Sequence, residues 1–187
     1  MGKKLFSLVL TLLLIASIGA ESARAQAIAG SSAAVVLVET QLPSSMLQKV
    51  ALKRKAMTEV LKKYDAPLLP EVDSFLEACT TYNLDCYLLP AIAGVESTFG
   101  KFHIPGTFNP FGWGRGLLAF TSYNETIMTV GKGLKENYID KGAESVDEIG
   151  HIYCEGDTWA GKVKFFMSQF EEEEKKQLFF MQDAVQL

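Results

Sequence analysis

The feature that most constrains the fold is a short apolar helix followed at once by a long segment without helical period. Within Leu88–Gly116, four residues recur at the spacing of one helical face: Leu89, Ile92, Ala93 and Glu96. Residues 99–120 are rich in glycine and aromatic side chains and predict an irregular loop or a small hairpin. The chain must therefore place a carboxyl group at the end of an apolar helix, directly before a loop.

The position of Glu96 predicts an unusual carboxyl group. Burial at the end of an apolar face disfavours the charged form and raises the pKa of the group. A carboxyl that stays protonated near neutral pH is what a general acid requires. The alternatives are a structural ion pair or a carboxylate in solvent, although the negative end of the helix dipole disfavours an anion there.

Three short motifs follow one another from this helix into the loop: Glu96-Ser97, Phe99-Gly100 and Asn109-Pro110-Phe111-Gly112. Together they resemble the bacterial endo-β-N-acetylglucosaminidase family, cell-wall hydrolases of the lysozyme-like superfamily. The resemblance covers about Leu69 to Phe170 and implies a mainly α, lysozyme-like domain with a small irregular or β-containing lobe at 99–120. It further implies cleavage of β-1,4 bonds between the N-acetylated amino sugars of peptidoglycan, with Glu96 as general acid and with no metal or cofactor.

The same resemblance assigns residues to a substrate cleft. Tyr153 matches a helix-borne tyrosine near the acid, with Tyr138 and Tyr123 as the alternatives. Six further residues are candidates for substrate binding: Ser97, Asn109, Phe111, Gly112, Trp113 and Tyr123. Aromatic faces stack on sugar rings, and glycine lets backbone amides approach acetamido groups. For Phe111 and Trp113, packing of the loop onto the core is the alternative interpretation.

Glycosidases commonly use two carboxyl groups, yet residues 97–122 contain no Asp and no Glu. Glu125 is the next acid, and its spacing from Ser122 favours a capping box instead. A single acid suits attack by the substrate's own N-acetyl group, or attack by a muramyl 6-hydroxyl as in lytic transglycosylases. An inverting route, in which a more distant acid holds the attacking water, is a third interpretation. A non-catalytic wall-binding protein on the same scaffold is the alternative from a different class.

Residues 1–25 have the parts of a secretory signal: Lys3 and Lys4, an apolar run from Leu5 to Ile18, and Ala23-Arg24-Ala25 as a cleavage site. The apolar run is shorter than a comfortable membrane span, so no stable membrane anchor is expected. We therefore expect a secreted or periplasmic protein, with a linker or loose arm at 26–43 and one lysozyme-like domain at 44–187.

Charge restricts the partners of the exported chain. Loss of three basic residues and one acidic residue with the signal leaves 15 basic and 21 acidic residues, a net charge of −6. An acidic chain argues against a general nucleic-acid binder. The expected partner is the glycan strand of peptidoglycan, bound by a monomer.

The three cysteines allow two interpretations. In an exported chain, Cys79 and Cys86 are favoured as a disulfide around a small loop, which leaves Cys154 over. Three buried thiols are the alternative. Three cysteines and two separated histidines form no convincing zinc pattern.

The remaining sequence predicts helices with recognisable caps. A helix from Ser45 to Tyr64 has its inward face defined by Val50, Met57, Val60, Leu61 and Tyr64. A second capping box, Ser145 to Glu148, opens a helix with Ile149, Ile152 and Tyr153 inward. The last helix has a buried stripe of Trp159, Val163, Phe166 and Phe170.

Overall fold

The structure is a computed structural model that describes residues 44–153 and 158–185. The expected signal at 1–25, the expected linker at 26–43 and Cys154 lie outside these residues. The described part of the chain contains six α-helices: α1 (Ser44–Lys63), α2 (Val72–Tyr82), α3 (Leu88–Ser97), α4 (Tyr123–Asn137), α5 (Val146–Tyr153) and α6 (Trp159–Val185). Short 3₁₀ turns occupy Leu69–Glu71 and Ile139–Lys141.

The prediction of a mainly α fold is confirmed. The segment between α3 and α4 is irregular, and no β-strand occurs among the described residues. None of the described helices combines the length and the apolar character needed to cross a membrane.

Helix α3 lies at the centre of the helical packing. It contacts α2, α4 and α6, and its residues from Leu88 to Gly94 are buried. At Gly94, an added Cβ would lie 2.8 Å from ring atoms of Phe99 and 3.1 Å from the ring of Phe166. Glycine at this position therefore lets two aromatic rings pack directly on the α3 backbone.

The end of α3 is formed by two consecutive residues with left-handed backbone. Thr98 (φ +52°) and Phe99 (φ +57°) donate their N–H groups to the carbonyls of Gly94 and Ala93. These bonds satisfy carbonyls at the helix end and turn the Phe99 side chain into the core, where it is fully buried. Glu96 is thereby fixed in the last turn of a helix whose end cannot move independently of the core.

Helices α1 and α6 pack in opposite directions. Lys53 lies 3.4 Å from Glu174, whereas Tyr64 near the end of α1 donates to Gln169 at 2.9 Å. The Tyr87 hydroxyl, just before α3, donates to the same Glu174 carboxylate at 2.7 Å, and its ring stacks on Phe170. Burial and the neighbouring carboxylate raise the pKa of Tyr87. This contact ties α3 to the α1–α6 pair.

Both capping boxes are present, with one difference in detail. Ser122 Oγ accepts from the Glu125 N–H at 3.1 Å, while the Glu125 carboxylate accepts from the N–H and hydroxyl of Thr121. Ser145 and Glu148 bond each other reciprocally. These hydrogen bonds lower the pKa of both glutamates, so Glu125 has the capping role that its spacing predicts.

Two predicted inward positions are wrong. Val50 is 36% exposed, because the first two turns of α1 precede Leu52, the first buried residue of that helix. Ile152 is 61% exposed in the last turn of α5, a short helix that buries only Ile149 and Gly150. Helical period assigns a face, but only tertiary contact decides how far along the helix that face is covered.

Cys79 and Cys86 form a disulfide, the pairing favoured from the sequence, with Cα atoms 4.8 Å apart. The bridge closes the turn between α2 and α3, where Asn83 has left-handed backbone (φ +50°) and donates its N–H to the Cys79 carbonyl. The bridge therefore restricts where α3 begins, and α3 is the helix that carries Glu96.

We expect peptide mapping of the non-reduced protein to find Cys79 and Cys86 in one linked pair. Replacement of both by alanine should lower the free energy of unfolding by about 2 to 3 kcal/mol, as expected for a loop of this length. Urea denaturation measures the change. A link from either residue to Cys154, or unchanged stability in the double variant, would contradict the pairing.

Candidate active site

The candidate site is built around one hydrogen bond between two helices. Glu96, in the last turn of α3, accepts at Oε1 from the indole Nε1–H of Trp159 at 2.6 Å. Trp159 is the first residue of α6 and is only 4% exposed. The other carboxyl oxygen, Oε2, faces Gly112, where an added Cβ would lie 3.7 Å away. Glu96 thus has one oxygen bonded to protein and one beside a glycine.

The pKa of Glu96 is shifted in the direction that the sequence predicts. Burial is the largest influence and raises the pKa of Glu96. The Trp159 hydrogen bond and the positive charge of Lys162 act in the opposite direction, since both favour the carboxylate. The net effect is a pKa above the ordinary value, which is the shift that a general acid requires.

Glu96 lies where two open cavities meet, and we call the two together the Glu96 groove. The aromatic cavity, of about 400 Å³, is lined by Glu96, Phe111, Gly112, Trp113, Gly114, Arg115, Tyr138 and Tyr153. The loop cavity, of about 490 Å³, is lined by Glu96, Ser97, Phe102, His103, Ile104, Pro105, Asn109, Gly112, Arg115 and Gly116. Glu96, Gly112 and Arg115 belong to both. An elongated ligand can therefore extend on either side of the carboxyl group.

Tyr153 forms part of the wall of the aromatic cavity. Its ring stacks on Trp159 with centroids 4.7 Å apart, and its hydroxyl donates to the Phe111 carbonyl at 2.9 Å. The side chain therefore fixes both the indole that binds Glu96 and the backbone of the loop. Its proximity to the acid matches the sequence prediction, and its contacts give it a positioning role.

Ser97 and Asn109 border the loop cavity but use their polar atoms on the protein backbone. Ser97 Oγ donates to the Pro110 carbonyl at 2.7 Å and accepts from the Gly100 N–H at 2.9 Å. The Asn109 amide donates to the carbonyls of Trp113 and Leu118 and accepts from the Trp113 N–H. Ser97 is 3% exposed and Asn109 is 2% exposed. Both side chains therefore hold the loop in its conformation, whereas the sequence predicts that they bind substrate.

The aromatic candidates divide between core and groove. Phe111 is 1% exposed, so its ring belongs to the core. Trp113 is half-buried: its ring meets Gly133 of α4, where an added Cβ would lie 2.7 Å from it, and it also lines the aromatic cavity. Trp113 therefore packs on α4 and still presents surface to the aromatic cavity.

Tyr123 does not line the groove itself, and one side chain, His103, lies between them. Its hydroxyl and His103 Nε2 are 3.2 Å apart, and its ring packs edge-on against Phe108. Burial raises the pKa of Tyr123. His103 lines the loop cavity, so Tyr123 supports the groove through that imidazole.

Two residues at the site, Trp159 and Arg115, are not among the site residues predicted from the sequence. The helical spacing places Trp159 in the buried stripe of the last helix. Trp159 is buried and lines neither cavity, but its N–H also binds Glu96. A buried indole N–H requires an acceptor, and this requirement was the available signal. Arg115 lines both cavities, and no periodic pattern in the glycine-rich loop marks it. Tyr138, one of the alternatives to Tyr153 that the resemblance offers, lines the aromatic cavity.

Among the described residues, no group of three or more histidine, cysteine, aspartate or glutamate side chains could hold a metal ion. Neither protein-family models nor the sequences of curated proteins give a match to this chain.

The raised pKa of Glu96 predicts how replacement by glutamine changes stability with pH. An acid whose pKa is higher in the folded state contributes stability below its unfolded pKa, about 4.3, and this contribution is lost as pH rises through the folded value. The stability of Glu96→Gln relative to the parent should therefore increase as pH rises from 4 toward 7. Urea denaturation across this range measures the difference.

Glu125→Gln is the matched control, because hydrogen bonds lower the pKa of Glu125. The stability that Glu125 contributes is present above its unfolded pKa and is lost as pH falls, so its variant should show the opposite trend. A difference between Glu96→Gln and parent that does not vary with pH would contradict the raised pKa.

Trp159→Phe removes the indole donor but keeps an aromatic ring against Tyr153. Because the hydrogen bond favours the carboxylate, its loss should raise the pKa of Glu96 further. Carbon-13 NMR titration of the glutamate carboxyls follows this group directly. Trp113→Phe, which leaves the Glu96 donor in place, should not move the titration; an unchanged or lower pKa in Trp159→Phe would argue against the bond.

Proposed function

We propose that the protein is a glycosidase that cleaves β-1,4 bonds between N-acetylated amino sugars in the glycan strand of peptidoglycan, with Glu96 as general acid. The observation that carries the proposal is a carboxyl group of raised pKa at the junction of two open cavities. The motif resemblance and the expected export signal agree with a wall polymer as substrate. The proposed setting is a secreted or periplasmic monomer without a membrane anchor.

The walls of the groove support a sugar polymer as ligand. Trp113, Tyr138 and Tyr153 offer aromatic surface to one side of Glu96, and pyranose rings stack on such surfaces. Gly112 leaves the backbone uncovered beside Glu96 Oε2, where acetamido groups need room. Because the groove is open on both sides of Glu96, internal bonds of a long strand can reach the acid.

The contacts of Glu96 indicate which oxygen acts. Oε1 already accepts from Trp159, so the proton is carried by Oε2, which faces Gly112 and the groove. In the proposed step, Oε2 gives its proton to the glycosidic oxygen while the bond from that oxygen to the anomeric carbon breaks. The Trp159 N–H then stabilises the carboxylate that remains.

The attacking group comes from the substrate in this proposal. Among the described residues, Glu96 is the one carboxylate that lines the groove; Glu155 and Asp157 lie outside them. Attack by the N-acetyl oxygen, followed by water, gives a glucosaminidase. Attack by a muramyl 6-hydroxyl on the anomeric carbon, with the Glu96 carboxylate accepting the hydroxyl proton, gives the anhydro product of a lytic transglycosylase.

Product analysis tests the proposal. Mass spectrometry of peptidoglycan digested by the purified protein should show new reducing N-acetylglucosamine ends for a glucosaminidase, or anhydro-muramyl ends for a transglycosylase. A digest without new ends would overturn the enzyme assignment in favour of a wall-binding protein.

Glu96→Gln keeps the size of the side chain but cannot donate the proton. We expect the rate of peptidoglycan cleavage to fall by about 10² to 10⁴, the usual cost of a lost general acid. Glu125→Gln serves as the control, since Glu125 caps α4 and should leave the rate near that of the parent. If Glu96→Gln cleared peptidoglycan in a gel as well as the parent, Glu96 would not be the acid.

A further inference from the structure

Arg115 occupies the junction of the two cavities without an assigned role. It lines both cavities together with Glu96 and Gly112. Within the described residues, no carboxylate forms an ion pair with it. A guanidinium that is exposed at the mouth of a cavity, and that has no hydrogen bond or ion pair to a described residue, is available to a ligand.

The backbone at Arg115 is a second, independent observation. Gly114, Arg115 and Gly116 have consecutive positive φ values of +61°, +62° and +76°. Glycine adopts this conformation without cost, whereas a residue with a Cβ is disfavoured there. The turn is closed by the Gly116 N–H, which donates to the Gly112 carbonyl at 2.8 Å. The loop thus has an arginine at a position where glycine would adopt the backbone conformation with less strain, and this position lies at the groove.

The chemistry of the proposed substrate gives that cation a partner. N-acetylmuramic acid differs from N-acetylglucosamine by a lactyl ether whose carboxyl is free on strands without stem peptides. Stem peptides carry carboxylates of their own. Guanidinium binds carboxylate through two parallel N–H···O bonds, which a neutral chitin-type strand cannot offer. Since the exported chain has an expected net charge of −6, a local cation is needed to admit an anionic strand.

We infer that Arg115 is a specificity residue that binds a substrate carboxylate next to the scissile bond and makes the groove prefer acidic muramyl strands over neutral chitin-type strands. The inference rests on the proposed function for its substrate class. It requires binding only, so it can be tested without turnover.

The test uses the mature chain with Glu96→Gln to prevent cleavage, and isothermal titration with three ligands of equal length. These are stem-free peptidoglycan strands, stem-bearing strands and chitooligosaccharides. Adding Arg115→Gln should weaken binding of a carboxylate-bearing strand about tenfold, the equivalent of about 1.4 kcal/mol, while binding of chitooligosaccharides changes less than twofold. Lys101→Gln removes a positive charge from the same loop outside the lining of either cavity and should change neither.

The outcomes separate the possible sources of the carboxylate. A loss confined to stem-free strands identifies the lactyl group, and an amidase-type reaction that removes stem peptides would then have to supply the substrate. A loss confined to stem-bearing strands identifies the peptide. Equal losses for chitooligosaccharides and muramyl strands, or no loss for any ligand, would overturn the inference.

Failure of the proposed function is distinguishable from failure of the inference. If the parent produces no new glycan ends but Arg115→Gln still weakens binding of muramyl strands selectively, the enzyme assignment fails and carboxylate recognition stands. If the parent cleaves peptidoglycan and Arg115→Gln leaves the preference for muramyl strands unchanged, the enzyme assignment stands and carboxylate recognition by Arg115 fails. Absence of binding to all three ligands would overturn both.

Discussion

The packing of α6 on α3 is the constraint on which the candidate site depends. Gly94 lets the rings of Phe99 and Phe166 lie against the α3 backbone, and this close approach sets the distance between the two helices. At that distance the first residue of α6, Trp159, reaches a carboxyl 63 positions earlier in the chain. A Cβ at position 94 would meet the Phe99 ring at 2.8 Å and the Phe166 ring of α6 at 3.1 Å, so both rings would have to shift.

The loop depends on the same helices through hydrogen bonds to its backbone. Ser97, at the end of α3, binds the carbonyl of Pro110, and Tyr153, at the end of α5, binds the carbonyl of Phe111. Asn109 closes the loop on itself through Trp113 and Leu118. Buried polar atoms are costly unless they are paired, so these bonds select one loop conformation. Gly112 is placed beside Glu96 as a consequence.

Much of the fold could be predicted because its signals are local. Capping boxes at Ser122 and Ser145, and the apolar face that ends at Glu96, depend on residues within two turns of a helix. The roles of Ser97 and Asn109 could not be obtained in this way. Their polar side chains next to a predicted acid suggest contact with substrate, but their partners are backbone atoms that only the folded loop brings near.

Trp159 shows the same limit from the opposite direction. An aromatic residue at helical spacing predicts core packing, which is correct for its ring, but the ring also carries one N–H. The partner of that N–H is fixed by how α3 and α6 cross, which no local pattern encodes. Arg115 lacks a periodic signal altogether, because its relevance comes from lying where two cavities meet.

The opposing influences on Glu96 have a chemical consequence for the proposed reaction. Burial favours the protonated form, whereas Trp159 and Lys162 favour the carboxylate, so the pKa is raised by less than burial alone would raise it. A carboxyl that first gives a proton to a leaving oxygen and then takes one from an attacking hydroxyl must be stable in both forms. With burial alone, Glu96 would be a poor acid, because the carboxylate left after proton transfer would be unsupported. With the hydrogen bond alone, Glu96 would be ionised before substrate arrived. Burial keeps Glu96 protonated before the proton transfer, and the hydrogen bond from Trp159, which the contact between α3 and α6 provides, stabilises the carboxylate after it.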